Sequence, residues 1–268
     1  MNELNSDQIE KMCEQQLFHL PYFRGMLRAV EQSFYKRLEL KEPIYDLGAG
    51  DGHFAWALFD GEAVVGLDPW WQPLTEAQER KVYPLLLQAD GAAVPAADAS
   101  FATAISNSVL EHVGEIQAVL NEVGRVLQPG GYFYFAVPNE RFRTDLWGMQ
   151  ILNKLGLKSL ALKYSKFFNK IARHINLDPS EVWIKRLEEA GFDKIDYFHY
   201  YPRKALHRLE RGHAAGLPNL IWKKLFGRWI LFPTRKNPFL RIEQTRRLLK
   251  NPFDENGTCT FYMARRKS

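Results

Sequence analysis

Residues 44–54 of the chain read IYDLGAGDGHF. An apolar stretch leads into Gly48, Gly50 and Gly52, and residues 53–59 suit a short helix. A strand, a glycine turn and a helix start present bare backbone N–H groups to a ligand. A Cβ on the glycines would block both the tight turn and the ligand's approach. The spacing is not the G-x-G-x-x-G of a dinucleotide fold, because position 53 is histidine.

Further apolar runs alternate with helical segments on both sides of this turn. Six of them predict strands after the first one, and a helix over 116–127 is predicted to end at the Pro-Gly-Gly of 129–131. The strand runs lie at 63–67, 85–88, 101–106, 132–137 and 195–200, with a last one at 258–263. This alternation predicts an α/β fold, a doubly wound, Rossmann-like sheet of seven mostly parallel strands with helices on both faces.

The chain divides into three predicted parts. Residues 1–40 form an N-terminal helical cap, residues 41–140 the ligand-binding core, and residues 141–268 a C-terminal part. The C-terminal part completes the sheet at about 181–202 and 256–268 and carries basic helical insertions at 141–176 and 203–255. The second insertion is too long for a plain loop, so we expect it to carry its own helices.

Charge is distributed unevenly along the chain. Residues 1–138 hold 9 Lys and Arg against 19 Asp and Glu, whereas residues 139–268 hold 27 against 12. A basic C-terminal part suits phosphate, a membrane surface or nucleic acid, and a solvated basic face is the plain alternative. Cys13 and Cys259 lack the spacing of a disulfide framework or a metal site, and no secretory leader is evident. We therefore expect free thiols, metal-independent chemistry and a cytoplasmic protein.

Polar side chains stand at the ends of four successive predicted strands. They are Asp46, Asp68, Asp90 and Asn107. In an open α/β sheet, ligands bind where the carboxyl ends of the strands meet a crevice. Any single one of these side chains could merely cap a helix or form a turn. Four in register favour one extended ligand, with Asp68 accepting hydrogen bonds from ribose hydroxyls and Asp90 from an exocyclic amine.

These motifs together resemble the class I S-adenosylmethionine-dependent methyltransferases, in the ubiquinone/menaquinone-methyltransferase-like (type 11) branch. The similar runs are DLGAGDG at 46–52, VGLDP at 65–69, QADG at 88–91, SNSVLEHV at 106–113 and EVGRVLQPGG at 122–131. The resemblance covers about residues 43–138. It implies S-adenosylmethionine as cofactor, S-adenosylhomocysteine as product, and an antiparallel final strand.

The resemblance also implies a set of cofactor-binding residues. Gly48 and Gly50 would face the methionine part, with Asp46 near its amino group and Asn107 alongside. Asp68 would bind the ribose. The remaining positions are Ala49, Gly52 and Ser108, with Pro69, Trp70, Asp90 and Gly91 around the adenine.

Methyl transfer requires mainly that the acceptor be positioned and water excluded. A base is needed only when the acceptor carries a proton of high pKa. His112 is the first candidate because it follows the fourth strand on the cofactor side, ahead of His53, His174 and His199. Asn107 is followed by Ser-Val-Leu rather than Pro-Pro-Tyr, which argues against DNA bases as acceptor.

The acceptor class is expected to depend on the C-terminal half. Residues 220–232 interleave aromatic and basic side chains, and on one helix Trp222, Leu225, Phe226, Trp229 and Phe232 would share a face. An interfacial helix would look like this, so residues 217–241 predict peripheral membrane contact. A helix packed on its own domain is the alternative.

The leading hypothesis is a methyltransferase acting on a small-molecule or lipid-like acceptor, with nucleic acid less favoured. The alternatives are a non-catalytic membrane- or RNA-docking protein on a methyltransferase-like core, and an NAD(P)-dependent oxidoreductase.

Overall fold

A computed structural model describes residues 3–62 and 64–268, without the side chains of residues 214, 215, 217, 218 and 220. Ala63, predicted as the first residue of the second strand, lies outside the described residues. None of the helices in the described ranges is long and apolar enough to cross a membrane.

Seven strands form one sheet in the order β3-β2-β1-β4-β5-β7-β6. The strands are β1 Ile44–Leu47, β2 Val64–Asp68, β3 Leu85–Gln88, β4 Phe101–Asn107, β5 Leu127–Pro138, β6 Phe192–Tyr200 and β7 Cys259–Arg266. Strands β1 to β5 pair in parallel, and β7 runs antiparallel to both β5 and β6. The predicted Rossmann-like sheet with an antiparallel final strand is confirmed.

Helices cover both faces of the sheet. They are α1 Ser6–Leu17, α2 Tyr22–Tyr35, α3 His53–Leu58, α4 Trp71–Arg80, α5 Ile116–Val126, α6 Glu140–Thr144, α7 Trp147–Lys154, α8 Lys158–Ala172, α9 Ser180–Glu189, α10 Arg203–Ala215, α11 Leu217–Phe226 and α12 Ile242–Lys250. Two 3-10 turns lie at Leu110–His112 and Pro238–Leu240.

The two cores follow from the alternation of side chains along each strand. In β1, Ile44 joins a core with α1, α2, α10 and α12, whereas Tyr45 joins the opposite core. That second core packs Val123 of α5 and Trp183 of α9 against the sheet. Because β1 is buried on both faces, its sequence is apolar apart from Asp46, as expected of a central parallel strand.

Two predicted boundaries were wrong. Helix α5 ends at Val126, and the Pro-Gly-Gly of 129–131 lies inside β5, because Leu127 already pairs with Phe101 and a register shift absorbs the extra residues. Helix α11 ends at Phe226, because Gly227 adopts the left-handed conformation at φ +69°. Trp229 and Phe232 therefore do not extend its apolar face.

Candidate active site

The strand order brings the predicted site residues to one edge of the sheet. Strand β1 lies between β2 and β4, so the segments that follow all three strands meet beyond their carboxyl ends. This edge is the usual ligand-binding position of a doubly wound sheet.

The three glycines of the turn have different reasons to be glycine. All have positive φ, at +84° for Gly48, +53° for Gly50 and +69° for Gly52. A Cβ on Gly48 would lie 2.4 Å from Val109, and one on Gly52 would lie 3.0 Å from Ala77. A Cβ on Gly50 would meet no atom nearer than 3.9 Å. Packing therefore demands the first and third glycines, whereas Gly50 borders open space.

The turn is fastened to β2. Gly48 and Ala49 donate backbone hydrogen bonds to the Leu67 carbonyl at 2.8 and 2.9 Å. One residue on, the backbone N–H of Gly50 donates to Oδ2 of Asp68 at 3.0 Å, and that of Trp70 donates to Oδ1 at 2.9 Å. Both carboxylate oxygens of Asp68 are thus oriented, and each keeps a further lone pair to accept a hydroxyl.

An aromatic surface lies beside this carboxylate. The Trp70 side chain is 71% exposed, and Pro69 is also exposed. Beyond β3, Asp90 is exposed and its Oδ1 accepts the Ala92 N–H at 2.9 Å. Gly91 is buried, and a Cβ there would lie 2.9 Å from Leu47. Asp90 therefore shapes its own turn and still presents a carboxylate to solvent.

Asp46 is buried at the edge of the turn. Its Oδ2 atom accepts a hydrogen bond from the Tyr83 hydroxyl. The sequence analysis did not single out Tyr83. Burial raises the pKa of Asp46 to about 6, opposed by the Tyr83 hydrogen bond and reinforced by the neighbouring Asp68. A cationic group placed here would favour the ionised carboxylate.

Glu31 of α2 holds the end of β4. Its carboxylate accepts hydrogen bonds from Asn107 Nδ2 at 2.7 Å, Ser108 Oγ at 3.0 Å and Tyr200 Oη at 3.0 Å, and it pairs with Arg28 at 2.6 Å. Glu31 is only 1% exposed, and the sequence analysis did not single it out. Its spacing from Leu27 and Phe34 was the available signal.

One polar atom beside Glu31 lacks a hydrogen-bond partner. The Asn107 Oδ1 atom is buried and accepts no hydrogen bond from the described residues. Such an orphaned acceptor at a ligand-binding edge suits a donor supplied by a ligand.

A second buried carboxyl group follows β4. Glu111 is 2% exposed, and its Oε2 atom has no partner among the described residues. Burial raises its pKa to about 8, with the Arg28 charge opposing and the Glu31 charge reinforcing that shift. Glu111 lies in the SNSVLEHV run of residues 106–113, but the sequence analysis assigned it no role.

His112 lies at the rim of the same segment. Its Nδ1 atom is 3.0 Å from the Arg173 carbonyl, its Nε2 atom is 3.7 Å from Glu111, and its ring stacks on His174 at 5.5 Å. Burial lowers the pKa of His112, and it lowers that of His174 to about 4.

The other two candidate histidines lie elsewhere. His53 is buried against Gln16 of α1, and burial lowers its pKa to about 3. The Nδ1 atom of His199 lies 2.9 Å from the Oγ1 atom of Thr260 on β7.

The residues at this edge fit an extended, partly cationic ligand. The oriented carboxylate of Asp68, the buried carboxylate of Asp46, the orphaned Asn107 oxygen and the exposed Trp70 ring match a diol, an ammonium group and a flat base. The open space at Gly50 leaves room for the chain that joins them.

Comparison with known proteins agrees with this geometry. Residues 45–135 match the family model of the methyltransferase domain, type 11. A "Probable S-adenosylmethionine-dependent methyltransferase" from Mycolicibacterium smegmatis is 33% identical over 36% of this chain and 38% of its own length. A ubiquinone/menaquinone biosynthesis C-methyltransferase from a Shewanella species is 29% identical over 41% of this chain and 46% of its own length. Each match thus spans less than half of the relative.

Solved structures extend the likeness to most of the chain. A methyltransferase from Thermotoga maritima superposes with a TM-score of 0.55 at 15% identity, over 90% of both chains. A phosphoethanolamine N-methyltransferase of Haemonchus contortus, solved with S-adenosylhomocysteine, gives 0.57 at 16% identity, over 90% of this chain and 52% of that one. Residues 45–135 thus match the methyltransferase domain family, and the sheet order with these superpositions shows that the chain has the fold of the class I S-adenosylmethionine-dependent methyltransferases.

Proposed function

We propose that this protein transfers the methyl group of S-adenosylmethionine to a small-molecule or lipid-like acceptor. The observation that carries the proposal is the Asp68 carboxylate, which two backbone N–H groups orient beside the open space at Gly50. When bound, the cofactor would supply a sulfonium methyl group, which passes to the acceptor while S-adenosylhomocysteine leaves.

The roles of the site residues follow from their chemistry. Asp68 accepts from the ribose hydroxyls, and the exposed ring of Trp70 with Pro69 lies along the adenine. Asp46 and the Asn107 oxygen receive the ammonium group. The turn leaves room for the methionine chain at Gly48, Ala49, Gly50 and Gly52. Ser108 supports Asn107, because both side chains donate hydrogen bonds to Glu31. The adenine amine is bordered by Asp90 and Gly91.

His112 is the proposed base for an acceptor that loses a proton. Its lowered pKa leaves the ring neutral near pH 7, so a ring nitrogen can accept that proton. An acceptor that needs no base would make His112 a wall of the site instead.

The insertions at 141–176 and 203–255 form the proposed acceptor lid. The buried carboxylate of Glu210 on α10 accepts hydrogen bonds from the backbone of Trp147 and Gly148 and from the Tyr164 hydroxyl. This carboxylate joins α7, α8 and α10 into one layer. The quinone named for the Shewanella relatives is lipid-like, which supports a lipid-like acceptor here.

Residues 217–241 are a proposed peripheral membrane contact within this lid. Ile221, Leu225 and Phe226 are exposed on α11, whereas Lys223 pairs with Glu76 at 3.3 Å. Arg24 lies 6.0 Å over the Trp229 ring. The segment therefore packs partly on its own domain and keeps a short apolar surface free.

The test combines binding with transfer of label. The protein is titrated calorimetrically with S-adenosylhomocysteine, then incubated with methyl-labelled S-adenosylmethionine and a cell extract separated into lipid and aqueous fractions. We expect saturable binding and label in the lipid fraction, both lost in Asp68→Ala. If S-adenosylhomocysteine did not bind to the intact protein, the hypothesis of a methyltransferase would be contradicted and a non-catalytic docking protein would be favoured.

A further inference from the structure

Exposed apolar side chains are concentrated on α7, on α8 and at residues 173–175, which follow α8. Of the twenty large hydrophobic residues found exposed among the described residues, nine lie between residues 147 and 175. They include Ile151, Leu155, Leu160, Phe167, Ile171 and Ile175, with exposed fractions of 36 to 67%. A concentration of this kind on one part of a surface marks an interaction site.

The same stretch is uniformly basic. Residues 146–177 contain no Asp or Glu and carry Lys154, Lys158, Lys163, Lys166, Lys170 and Arg173. In the described part of the chain, none of these six side chains forms an ion pair. Their charge is therefore available to an external partner.

Helix α8 separates its residues into three stripes. Ala161, Ser165 and Phe168 are buried against the protein. Leu160, Phe167 and Ile171 are spaced by seven and four residues and form an exposed apolar stripe. The next stripe, spaced by three and four, consists of Lys163, Lys166 and Lys170. Apolar residues flanked by lysines are typical of a helix that lies in the plane of a membrane interface.

The inner side of this surface is attached to the candidate active site. The Ile175 N–H donates to the Glu111 carbonyl at 2.7 Å, and Asn176 Nδ2 donates to the Leu110 carbonyl at 2.8 Å. His112 Nδ1 lies 3.0 Å from the Arg173 carbonyl. The exposed surface therefore ends at the segment after β4, where the acceptor would approach.

We propose that the surface of residues 147–175 docks on a bilayer with anionic headgroups, α8 lying in the interface. The apolar stripe enters the outer acyl region while the lysine stripe contacts headgroup phosphates. A lipid surface suits this face better than nucleic acid, because aliphatic residues outnumber aromatic ones that could stack on bases. The proposal goes beyond methyl transfer and does not depend on it.

Vesicle co-sedimentation of the full chain tests the proposal. The probes are phosphatidylcholine vesicles with and without 30% phosphatidylserine, at low and high salt. The apolar variant combines Leu160→Ser, Phe167→Ser and Ile171→Ser, and the charge variant combines Lys163→Glu, Lys166→Glu and Lys170→Glu. Leu85→Ser on β3, at 50% exposed, and Lys185→Glu on α9 are single-residue controls outside this face and outside residues 217–241.

We expect the intact protein and both controls to bind the anionic vesicles and to bind less in high salt, since salt screens exposed charges. Each α8 variant should lower the partition coefficient at least about tenfold with an unchanged melting temperature. A Leu225→Ser, Phe226→Ser variant of α11 tests the separate membrane contact proposed above for residues 217–241.

Three outcomes would overturn the proposal. They are failure of the intact protein to bind anionic vesicles, full binding by both α8 variants, and loss of binding in the α11 variant alone. Salt-sensitive binding of a labelled single-stranded RNA that the charge variant abolishes, without vesicle binding, would assign the surface to nucleic acid instead.

Discussion

Oδ2 of Asp68 accepts a hydrogen bond from the backbone N–H of Gly50 at 3.0 Å, although eighteen residues separate the two in the chain. The bond joins the end of β2 to the turn after β1, and it fixes the carboxylate beside the open space at Gly50. Binding of a ribose at this edge would therefore require little reorganisation of the protein.

Asp68→Ala should weaken binding of S-adenosylhomocysteine by at least tenfold, equal to about 1.4 kcal/mol. The substitution removes the acceptor for the ribose and frees the Gly50 N–H from its partner. Calorimetric titration of both proteins measures the change. Asp60→Ala, which alters a carboxylate with a side chain 71% exposed, should bind like the unaltered protein. Equal affinity for Asp68→Ala would remove Asp68 from the site.

Gly48→Ala should destabilise the fold by about 2–4 kcal/mol. The new Cβ would lie 2.4 Å from Val109 and would force an alanine into φ +84°. Urea unfolding measures the loss, and Val109→Ala in the same chain should restore part of it. Gly61→Ala, with φ +111° and no atom within 4 Å, carries the backbone strain alone and should cost less.

Gly50→Ala should separate stability from binding. Its Cβ meets no atom nearer than 3.9 Å, so the cost to folding is mainly that of an alanine at φ +53°, about 1–2 kcal/mol. The methyl group would occupy space proposed for the cofactor, and the affinity for S-adenosylhomocysteine should fall more than in Gly61→Ala. An unchanged affinity would show that the ligand does not approach Gly50.

Glu31→Ala should cost about 3–5 kcal/mol of folding free energy. It leaves the Arg28 guanidinium without its carboxylate and removes the acceptor of Asn107, Ser108 and Tyr200. Thermal and urea unfolding measure this cost. Glu39→Ala, at an exposed position just after the same helix, should stay within about 0.5 kcal/mol of the unaltered protein. A small loss of folding free energy for Glu31→Ala would show that the hydrogen bonds and ion pair of Glu31 contribute little to stability.

Glu111 should make the stability of the protein decrease as the pH rises. Its pKa is raised to about 8 in the folded protein from an ordinary value of 4.5. The folded state therefore binds this proton more tightly, and the stabilisation, complete below pH 4.5, is lost as the pH rises to 8.

Urea unfolding at pH 5.5 and pH 8 compares the unaltered protein with Glu111→Gln. The unaltered protein should lose about 1–3 kcal/mol more than the variant between these two values. Glu115→Gln, at an exposed position, should follow the unaltered protein. Parallel curves for Glu111→Gln would mean that the buried carboxyl group does not titrate in this range.

The sequence by itself determined the order of strands and helices, because apolar periodicity and glycine turns are local properties. It also placed Asp68 and Asn107 at the last residues of β2 and β4, whereas Asp46, predicted to end β1, is its penultimate residue. The antiparallel last strand followed from resemblance, and the pairing of β7 with β5 and β6 confirms it.

Only the tertiary structure decided which polar groups are buried and what they contact. Glu31 lies 76 residues from Asn107, and Tyr83 lies 37 residues from Asp46. Burial of a carboxyl group depends on which helix covers it, and a helical period does not specify its neighbour. The same reason applies to α8, which was predicted as part of a basic helical insertion, whereas only packing showed which of its apolar residues stay exposed.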